Sequence, residues 1–327
     1  MTLEKELLVE ICKKCYLDCR FCSSNADEKA LYYLDFDQIK SIVNDTNKLK
    51  IDKIEISGGE PIVHPDFLKI CEYLKANNKK ILLYTSGNIK NKENLVQIPN
   101  KILKRLKELE IDAIRFNLQS HDPIIHNFLT NASSFENALS SLKTSIKLGL
   151  NTEIHVIPLK QNYQNLSQTV QFFKQIGVSK IKFLRFVAHG RGLVNKRSLE
   201  LNQKQNFDLL GQFIKFKQFY GKLIEIGSSF NNSIISNEVK ICRECNLGRN
   251  KTAITPDGKV YPCVSTKNFG YFNYELKNQS LYKILNSKDY LNRLKSYLSI
   301  ALNSLKVNKN SYSLCPTQKY LEIKSAY

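Results

Sequence analysis

Short apolar segments alternate with amphipathic segments along the first two thirds of the chain. Strand-like apolar segments occur at 7–11, 53–57, 81–86, 113–119, 152–157 and 180–187. Helical periodicity predicts helices near 36–49, 66–77, 100–109, 134–148, 163–175 and 202–219. Such alternation is typical of βα units around a parallel sheet, which right-handed crossovers curl into a barrel. We therefore predict an α/β fold, a partial (β/α)6 TIM-like barrel over residues 1–230.

The pattern changes after residue 230. The stretch TAITPDGKVYPC predicts two short strands joined by a Pro-Asp-Gly turn, and a further helix is predicted near 280–299. These elements predict a small C-terminal α+β domain over residues 231–327.

Polar and glycine-bearing loops follow five of the predicted barrel strands. In chain order they contain CYLDCRFC, GGEP, TSGN, LQSHDP and HGRG. Because the carboxyl ends of parallel strands gather on one rim of a barrel, we expect these loops to build the functional site together.

Composition narrows the class of protein. The longest apolar runs are far shorter than the ~20 residues of a membrane span, and the start MTLEKELLVE lacks the apolar run of a secretory signal. We therefore expect a cytoplasmic protein. Its 9 cysteines are an odd number, and several lie in short clusters, which favours metal ligands over disulfides.

The formal net charge of +19 comes mostly from lysine. A basic surface attracts nucleic acid, anionic membranes or acidic substrates. No compact basic run stands out, and lysine is abundant throughout the chain. Nucleic-acid binding is therefore possible but not favoured.

The first cysteine array is the most specific chemical signal. Cys15, Cys19 and Cys22 form a C-x3-C-x2-C pattern directly after the first strand. Three thiolates can hold three irons of a [4Fe–4S] cubane and leave the fourth iron open, although a zinc site completed by a distant histidine is an alternative. We interpret Cys12 as a strand residue rather than a ligand, and Cys71 as a core residue of a helix.

This cysteine array resembles the signature of the radical S-adenosylmethionine (SAM) superfamily. The resemblance implies that the open iron binds SAM through its amino and carboxylate groups. It also implies reductive cleavage of SAM to a 5′-deoxyadenosyl radical, which abstracts a hydrogen atom from the substrate. Phe21 matches the family's aromatic position beside the adenine.

Further motifs match the family's SAM-binding positions. The turn after the second strand matches the family's motif for the SAM amino group; it consists of Gly58, Gly59, Glu60 and Pro61. Thr85 and Ser86 match a small polar motif after the third strand. Asn117 and Gln119 stand where relatives often have serine and aspartate that contact the ribose or the methionine carboxylate. Their amides can hydrogen-bond SAM but cannot act as charged bases.

A second cysteine set lies in the C-terminal region. It consists of Cys242, Cys245, Cys263 and Cys315, which by spacing alone suit either structural zinc or an iron–sulfur cluster. The stretch TAITPDGKVYPC resembles the twitch and SPASM domains of one radical SAM branch. That resemblance implies one auxiliary [4Fe–4S] cluster, with Cys315 as the ligand most remote in sequence.

Four other polar residues are candidates for substrate contact. Arg185 and Arg191 follow the sixth strand and can hold a carboxylate or phosphate, or be solvated loop residues. Glu153 and His155 alternate with apolar positions on the fifth strand, so they can point into the barrel. Either can act as a proton acceptor or simply be a satisfied core residue.

The resemblance implies a radical SAM oxidoreductase or maturase. It would act on a peptide or small molecule, with a flavodoxin- or ferredoxin-type reductant and an auxiliary cluster that assists oxidation or cross-link formation. The layout is similar to the GTP 3′,8-cyclase of molybdenum-cofactor synthesis, which is one alternative. An RNA-modifying radical SAM enzyme and a non-catalytic iron–sulfur or zinc protein are others. The sequence fixes neither the substrate nor the catalytic base.

Overall fold

The computed structural model describes residues 5–227, 230, 251–267, 270–306, 315 and 317. The strands are β1 Glu6–Cys12, β2 Lys53–Gly58, β3 Lys80–Thr85, β4 Asn88–Asn91, β5 Asn94–Gln97, β6 Ala113–Phe116, β7 Thr152–Val156, β8 Lys180–Phe183, β9 Ile224–Ile226, β10 Lys251–Ile254, β11 Lys259–Tyr261 and β12 Tyr274–Glu275. The helices are α1 Phe36–Leu49, α2 Phe67–Ala76, α3 Asn100–Glu108, α4 Pro123–Thr130, α5 Phe135–Lys147, α6 Leu166–Ile176, α7 Arg191–Val194, α8 Lys196–Leu199, α9 Gln203–Tyr220, α10 Leu281–Asn286 and α11 Lys288–Lys306.

One ten-stranded sheet organises the molecule. Its order is β12-β11-β10-β1-β2-β3-β6-β7-β8-β9, and every neighbouring pair from β10 to β9 is parallel. The six predicted barrel strands are all present, so the predicted α/β class is confirmed. The parallel order follows from helices that cross over between successive strands.

The predicted hairpin after residue 250 joins the same sheet. Strand β10 pairs in parallel with β1, from Glu6 opposite Lys251 to Val9 opposite Ile254, while β11 returns antiparallel. The C-terminal strands therefore extend the barrel sheet at its first strand. The boundary between residues 230 and 231 stays a prediction.

The core lies between the sheet and its surrounding helices. Strand β2 shows why the chain folds this way, because Ile54 and Ile56 are buried on one face while Glu55 points to the other. Helix α1 begins with a capping box between Asp35 and Gln38, which satisfies exposed amide groups at its start. Cys71 of α2 is fully buried in this core, as expected.

Several short elements depart from the predicted pattern. The sequence pattern predicts neither the β4–β5 hairpin nor strand β9, and it assigns no helix to α4. Asp122 caps α4 by accepting a hydrogen bond from the amide of Ile124, and Pro123 stands at its first position. This is a recognisable helix start. In the described part of the chain, no helix combines the length and the apolar character needed to cross a bilayer.

Candidate active site at the carboxyl rim of the sheet

A cavity of about 380 Å³ lies inside the curled sheet. All three cysteines of the first array and the two glycines of the turn after β2 line this cavity. Inward-facing polar side chains of the strands also line it, and so does Cys263 of the second set. Side chains predicted from three separate motifs therefore face one space.

The first cysteine array forms a compact loop after β1. The amide of Cys15 donates to the carbonyl of Asp27 (3.0 Å), and the amide of Cys22 donates to the carbonyl of Cys19 (3.1 Å). Burial raises the pKa of the Cys15 thiol to about 12 and the pKa of Cys19 well above its usual value. Ionised thiolates at these positions therefore need a positively charged partner such as a metal cluster.

The loop after β8 supports the cysteine loop from outside. Arg191 donates to the carbonyl of Cys19 (3.0 Å) and to the carbonyl of Ala26 (2.7 Å), and it pairs with Asp18 (3.0 Å). Gly190 has φ +52°, and a side chain there would place a Cβ 2.7 Å from the carbonyl oxygen of Cys22. The HGRG motif therefore braces the cysteine loop.

The three thiols suit a cluster better than a single ion. They line one cavity wall, and Cys15 and Cys22 lie close enough to Cys19 to raise its pKa. Within the described residues, no group of three or more His, Cys, Asp or Glu side chains has the arrangement of a mononuclear metal site. A cubane is larger than one ion and takes one thiolate on each of several irons, so this donor set fits it.

The glycine turn after β2 packs against the cysteine loop. The amide of Gly59 donates to the carbonyl of Cys12 (2.7 Å), and the amide of Glu60 donates to the carbonyl of Lys14 (2.8 Å). A Cβ on Gly59 would lie 2.1 Å from the carbonyl oxygen of Lys14. Close backbone approach therefore requires glycine there. Gly58 and Gly59 line the cavity, whereas Pro61 is buried behind it.

Glu60 connects the glycine turn to the next loop. Its fully buried carboxylate accepts hydrogen bonds from the hydroxyl of Thr85 (2.8 Å) and from the amide (2.8 Å) and hydroxyl (2.6 Å) of Ser86. Burial raises the pKa of Glu60, and these hydrogen bonds oppose the rise. Glu60 thus positions Thr85 and Ser86, which line the cavity, although its own side chain does not.

The two amide side chains after β6, Asn117 and Gln119, also differ in position: one lines the cavity and the other supports it from behind. Asn117 lines the cavity, whereas Gln119 is fully buried behind it. Gln119 donates to the side-chain oxygen of Asn117 and accepts from the amide of Ile157 (2.8 Å). Gln119 therefore orients Asn117. Phe21 is buried and lines the cavity, next to the cysteine array.

A buried ionic network fills the middle of the cavity wall. Arg115 on β6 donates to Glu55 (2.6 Å), to Glu153 (2.8 Å) and to the hydroxyl of Tyr84 (2.9 Å). His155 lies 3.5 Å from Glu153. Burial alone would raise the pKa of Glu153, but His155 and Arg115 hold it well below its usual range. Glu153 is therefore ionised beside Arg115, and the hydrogen bonds of Arg115 hold the network in one arrangement.

The predicted inward orientation of Glu153 and His155 agrees with the structure. Burial lowers the pKa of His155 to about 4, so its imidazole is neutral at physiological pH. His155 lines the cavity, whereas Glu153 lies behind it. A neutral imidazole is chemically able to accept a proton, and its place in the wall keeps it a candidate for substrate contact.

Among the described residues, every cationic side chain that lines the cavity has a carboxylate partner. The pairs are Arg115 with Glu55 and Glu153, Lys182 with Glu225, Lys251 with Glu6, Lys267 with Glu10, and Arg191 with Asp18. The charges of the described wall are therefore close to balanced, which suits a ligand of low charge more than a highly charged anion.

The second cysteine set is only partly described. Cys263 follows β11 and lines the cavity, and Cys315 lies close enough to raise its pKa. Burial is the main cause of the raised pKa of Cys263. Arg185 donates to the sulfur of Cys315 (3.0 Å), so it contacts a predicted ligand. Cys242 and Cys245 lie outside the described residues.

Sequence reasoning missed most of the ionic wall. Arg115, Glu55 and Lys182 each interrupt an otherwise apolar strand at an inward-facing position. A charged residue in alternation with buried apolar ones is the signal that could have identified them, because successive strand residues face opposite sides. The sequence-based prediction applies this alternation only to Glu153 and His155. Their ion pairs could not be read from the sequence, since the partners come from different strands.

Comparisons with known proteins identify two domains in the chain. Residues 9–173 match the family model of the radical SAM superfamily. Residues 242–317 match that of SPASM, an iron–sulfur cluster-binding domain. The first match includes the cysteine array and the glycine turn, and the second includes all four cysteines of the second set.

Curated relatives carry two kinds of name. A probable GTP 3′,8-cyclase of Methanocaldococcus jannaschii is 24% identical over 271 residues, which cover 80% of this chain and 85% of that protein. The mycofactocin maturase MftC of Mycobacterium tuberculosis is 23% identical over 258 residues, which cover 78% of this chain and 63% of that protein. The similarity therefore extends well beyond the cysteine motif.

Solved structures share the fold. SuiB of Streptococcus suis, bound to its precursor peptide SuiA, has a TM-score of 0.69 and 16% identity, covering 90% of this chain and 67% of that one. The protein anSMEcpe, with bound AdoMet and a peptide, has a TM-score of 0.66 and 15% identity, covering 89% and 82%. At this identity the likeness concerns the architecture alone.

Proposed function

Because the chain belongs to the radical SAM superfamily, we propose that it abstracts a hydrogen atom from a polar peptide or small molecule bound in the cavity described above. Its cofactors are SAM and iron–sulfur clusters, one in the radical SAM domain and an auxiliary one in the SPASM region. The observation that carries the proposal is that the three cysteines of the first array and Cys263 of the second set border a single cavity. A substrate there would lie between the two clusters.

The residues around the cysteine loop have defined roles in this proposal. Cys15, Cys19 and Cys22 would hold the SAM-binding cluster, which when reduced supplies the electron that cleaves SAM to a 5′-deoxyadenosyl radical. The backbone at Gly58 and Gly59 borders the place where the amino group of SAM would bind. Buried apolar side chains of the wall, such as Leu17 and Phe21, would limit the access of water to a radical formed there.

The hydrogen-bonding residues of the rim would hold the rest of SAM. Ser86 and Asn117 line the cavity and offer a hydroxyl and an amide, while Glu60 and Gln119 hold them from behind. Phe21 offers a ring face for the adenine. Contacts of this kind orient a cofactor without changing its chemistry.

The auxiliary cluster would assist the second half of the reaction. Cys263 faces the same cavity as the cysteine loop, so an electron from a substrate radical has a nearby acceptor. Such an acceptor favours a two-electron oxidation or a new cross-link. We propose Cys242, Cys245, Cys263 and Cys315 as its ligands, held within residues 242–317, which match the SPASM domain.

The charge balance of the wall bears on the substrate. A nucleoside triphosphate needs several uncommitted cations, yet each cationic side chain in the described part of the wall is paired with a carboxylate. A peptide side chain or another polar molecule of low charge fits this wall better. The structural likeness to SuiB, whose crystal contains its precursor peptide, is compatible with a peptide.

The decisive experiment is anaerobic reconstitution followed by reduction with dithionite in the presence of SAM. We expect about eight iron and eight sulfide per chain and the formation of 5′-deoxyadenosine. Zinc in place of iron, or intact clusters that never yield 5′-deoxyadenosine, would contradict the proposal. Substrate candidates are then scored by how far they increase 5′-deoxyadenosine formation.

A GTP 3′,8-cyclase reaction is the second candidate, because several relatives carry that name over most of this chain. Incubation of the reconstituted enzyme with GTP, SAM and dithionite tests it. A cyclised guanosine product, detected by mass spectrometry, would favour this candidate. Recovery of unchanged GTP beside normal SAM cleavage would exclude it and leave the peptide or small-molecule reading.

A further inference from the structure

Large apolar side chains are exposed around the outer face of the cysteine loop. Ile124 and Phe128 on α4 are 81% and 45% exposed, and Leu193 and Val194 on α7 are 59% and 84% exposed. The described part of the chain exposes eleven large apolar side chains, and four of them lie on these two short helices. We call these four residues the apolar patch. Both pairs lie on helices that contact the cysteine loop, and exposed apolar surface beside a functional loop is a common site of protein contact.

Direct contacts join the apolar patch to the cysteine loop. Arg20, between two of the cysteines, donates to the carbonyl of Phe128 (2.9 Å), and its guanidinium lies 4.6 Å from the centre of the Phe128 ring. Asn195, which follows α7, donates to the carbonyl of Arg20 (3.1 Å). The amide of Gly192 donates to the carbonyl of Cys22 (3.3 Å). Both helices therefore rest on the backbone that would hold the SAM-binding cluster.

Basic residues border the apolar patch. Lys196 and Arg197 on α8 follow α7 directly and are exposed. Lys160, also exposed, donates to the carbonyl of Arg197 (2.8 Å) and so lies beside them. The nearby carboxylate of Asp18 is paired with Arg191. An apolar centre with a basic rim is complementary to an acidic protein surface.

We infer that the apolar patch is the docking site of an acidic one-electron carrier protein that reduces the SAM-binding cluster. The inference rests on the proposed function, since only a redox cluster behind the loop requires such a carrier. Each docking event moves one electron from the reduced carrier to the cluster, so the carrier is oxidised by one electron and the cluster reduced by one. The patch is suited to this because both of its helices contact the backbone of the loop that carries Cys19 and Cys22.

Binding is the first test and does not depend on turnover. An acidic flavodoxin is immobilised, and the anaerobic reconstituted enzyme is passed over it at low and moderate salt. Val194→Glu and Ile124→Glu each place a carboxylate in the apolar patch at positions more than four fifths exposed, so folding should be retained. We expect each to raise the Kd about tenfold, and added salt to weaken wild-type binding.

The second test separates docking from chemistry. Bleaching of the cluster absorbance is followed after mixing with flavodoxin hydroquinone or with dithionite, which is small and needs no docking surface. Val194→Glu and Ile124→Glu should slow the flavodoxin-driven rate about tenfold and leave the dithionite-driven rate within about twofold of wild type. The matched control is Phe219→Glu, which changes a 77% exposed side chain near the end of α9 and should alter neither rate.

Each outcome has a defined meaning. Unchanged Kd and unchanged flavodoxin rate in both patch variants would overturn the inference, and so would an equal loss with both reductants. If a patch variant only shifts a dimer to a monomer in light scattering, the patch joins two copies of this chain and the inference fails. Failure of wild type to cleave SAM with dithionite would count against the proposed function. The binding assay would still test whether flavodoxin binds at the apolar patch.

Discussion

The two cysteine regions share one ligand chemistry but are built in different ways. The first array lies within eight consecutive residues, and its geometry comes from hydrogen bonds of its own loop and from the brace by Arg191. In the second region, Cys263 and Cys315 meet although they are far apart in sequence, and Arg185 from the loop after β8 contacts Cys315. One site is local and the other depends on long-range packing.

The different construction of the two cysteine regions predicts different functional roles. The first loop lies against the glycine turn, and its backbone approaches position 59 too closely for any residue except glycine. Cys263 instead follows a hairpin strand that joins the barrel sheet through β1. The contacts described for the first loop come from residues 1–230, whereas the second site combines Arg185 with residues of the C-terminal region. We expect SAM cleavage to depend on the first region and substrate conversion to depend on both.

The largest expected effect distinguishes the two regions directly. Cys15→Ala should abolish 5′-deoxyadenosine formation, because it removes a predicted ligand of the SAM-binding cluster. Cys263→Ala should retain part of the uncoupled SAM cleavage. Iron analysis should show about four iron per chain in each variant, against about eight in wild type. Equal loss of cleavage in two folded variants would mean that the regions do not divide the work in this way.

The brace of the first loop is the next test. Gly190→Ala would force a Cβ to within 2.7 Å of the carbonyl oxygen of Cys22 at a backbone φ of +52°. We expect a loss of about 2–4 kcal/mol in the free energy of unfolding and poor loading of the first cluster. Urea unfolding and iron content measure the two effects.

Gly177→Ala is a matched control for that substitution. Gly177 also has a positive φ (+93°), but nothing lies within 4 Å of the Cβ that alanine would add. This variant should show backbone strain without loss of cluster. If both variants load iron like wild type, the HGRG loop does not support the cysteine loop.

The sequence predicts the features that depend on local signals and misses those that depend on contacts between distant segments. The six barrel strands, most helices and the position of Cys15, Cys19 and Cys22 after β1 were predictable, because periodicity and motif spacing are local signals. The role of Glu60 was not, since its hydrogen bonds go to a loop 25 residues further on. Arg191 was predicted to hold a ligand or to be solvated, but the structure shows it bound to the cysteine loop. Contacts between distant segments carry no local signature.

A medium effect is expected in the second region. Arg185→Gln removes a positive charge that donates to the sulfur of Cys315. If Cys315 is a ligand, the reduction potential of the auxiliary cluster should become roughly 50 mV more negative, equivalent to about 1 kcal/mol for one electron. A redox titration followed by electron paramagnetic resonance measures it. Arg105→Gln, on the outer helix α3, is the control, and an unchanged auxiliary potential in Arg185→Gln would argue against ligation by Cys315.

The smallest expected effect concerns pH and the support behind the first region. His126 on α4 is buried, accepts a hydrogen bond from the amide of Gln119 (3.2 Å), and has its pKa lowered to about 4 by burial. Because the unfolded chain binds a proton near pH 6.5 and the folded chain only near pH 4, stability is lost as the pH falls below 6.5.

His126 alone should account for about 1 kcal/mol of unfolding free energy between pH 7 and 5.5. His155, with a pKa also near 4, should add a similar loss from the cavity wall that borders both regions. His126→Gln keeps a polar side chain without a titratable proton, so its stability should depend less steeply on pH than that of wild type. Urea unfolding of both proteins at the two pH values measures the slopes. Identical slopes would show that His126 takes up its proton without unfolding α4, and that the support behind the cysteine loop tolerates acid as well as the rest of the barrel.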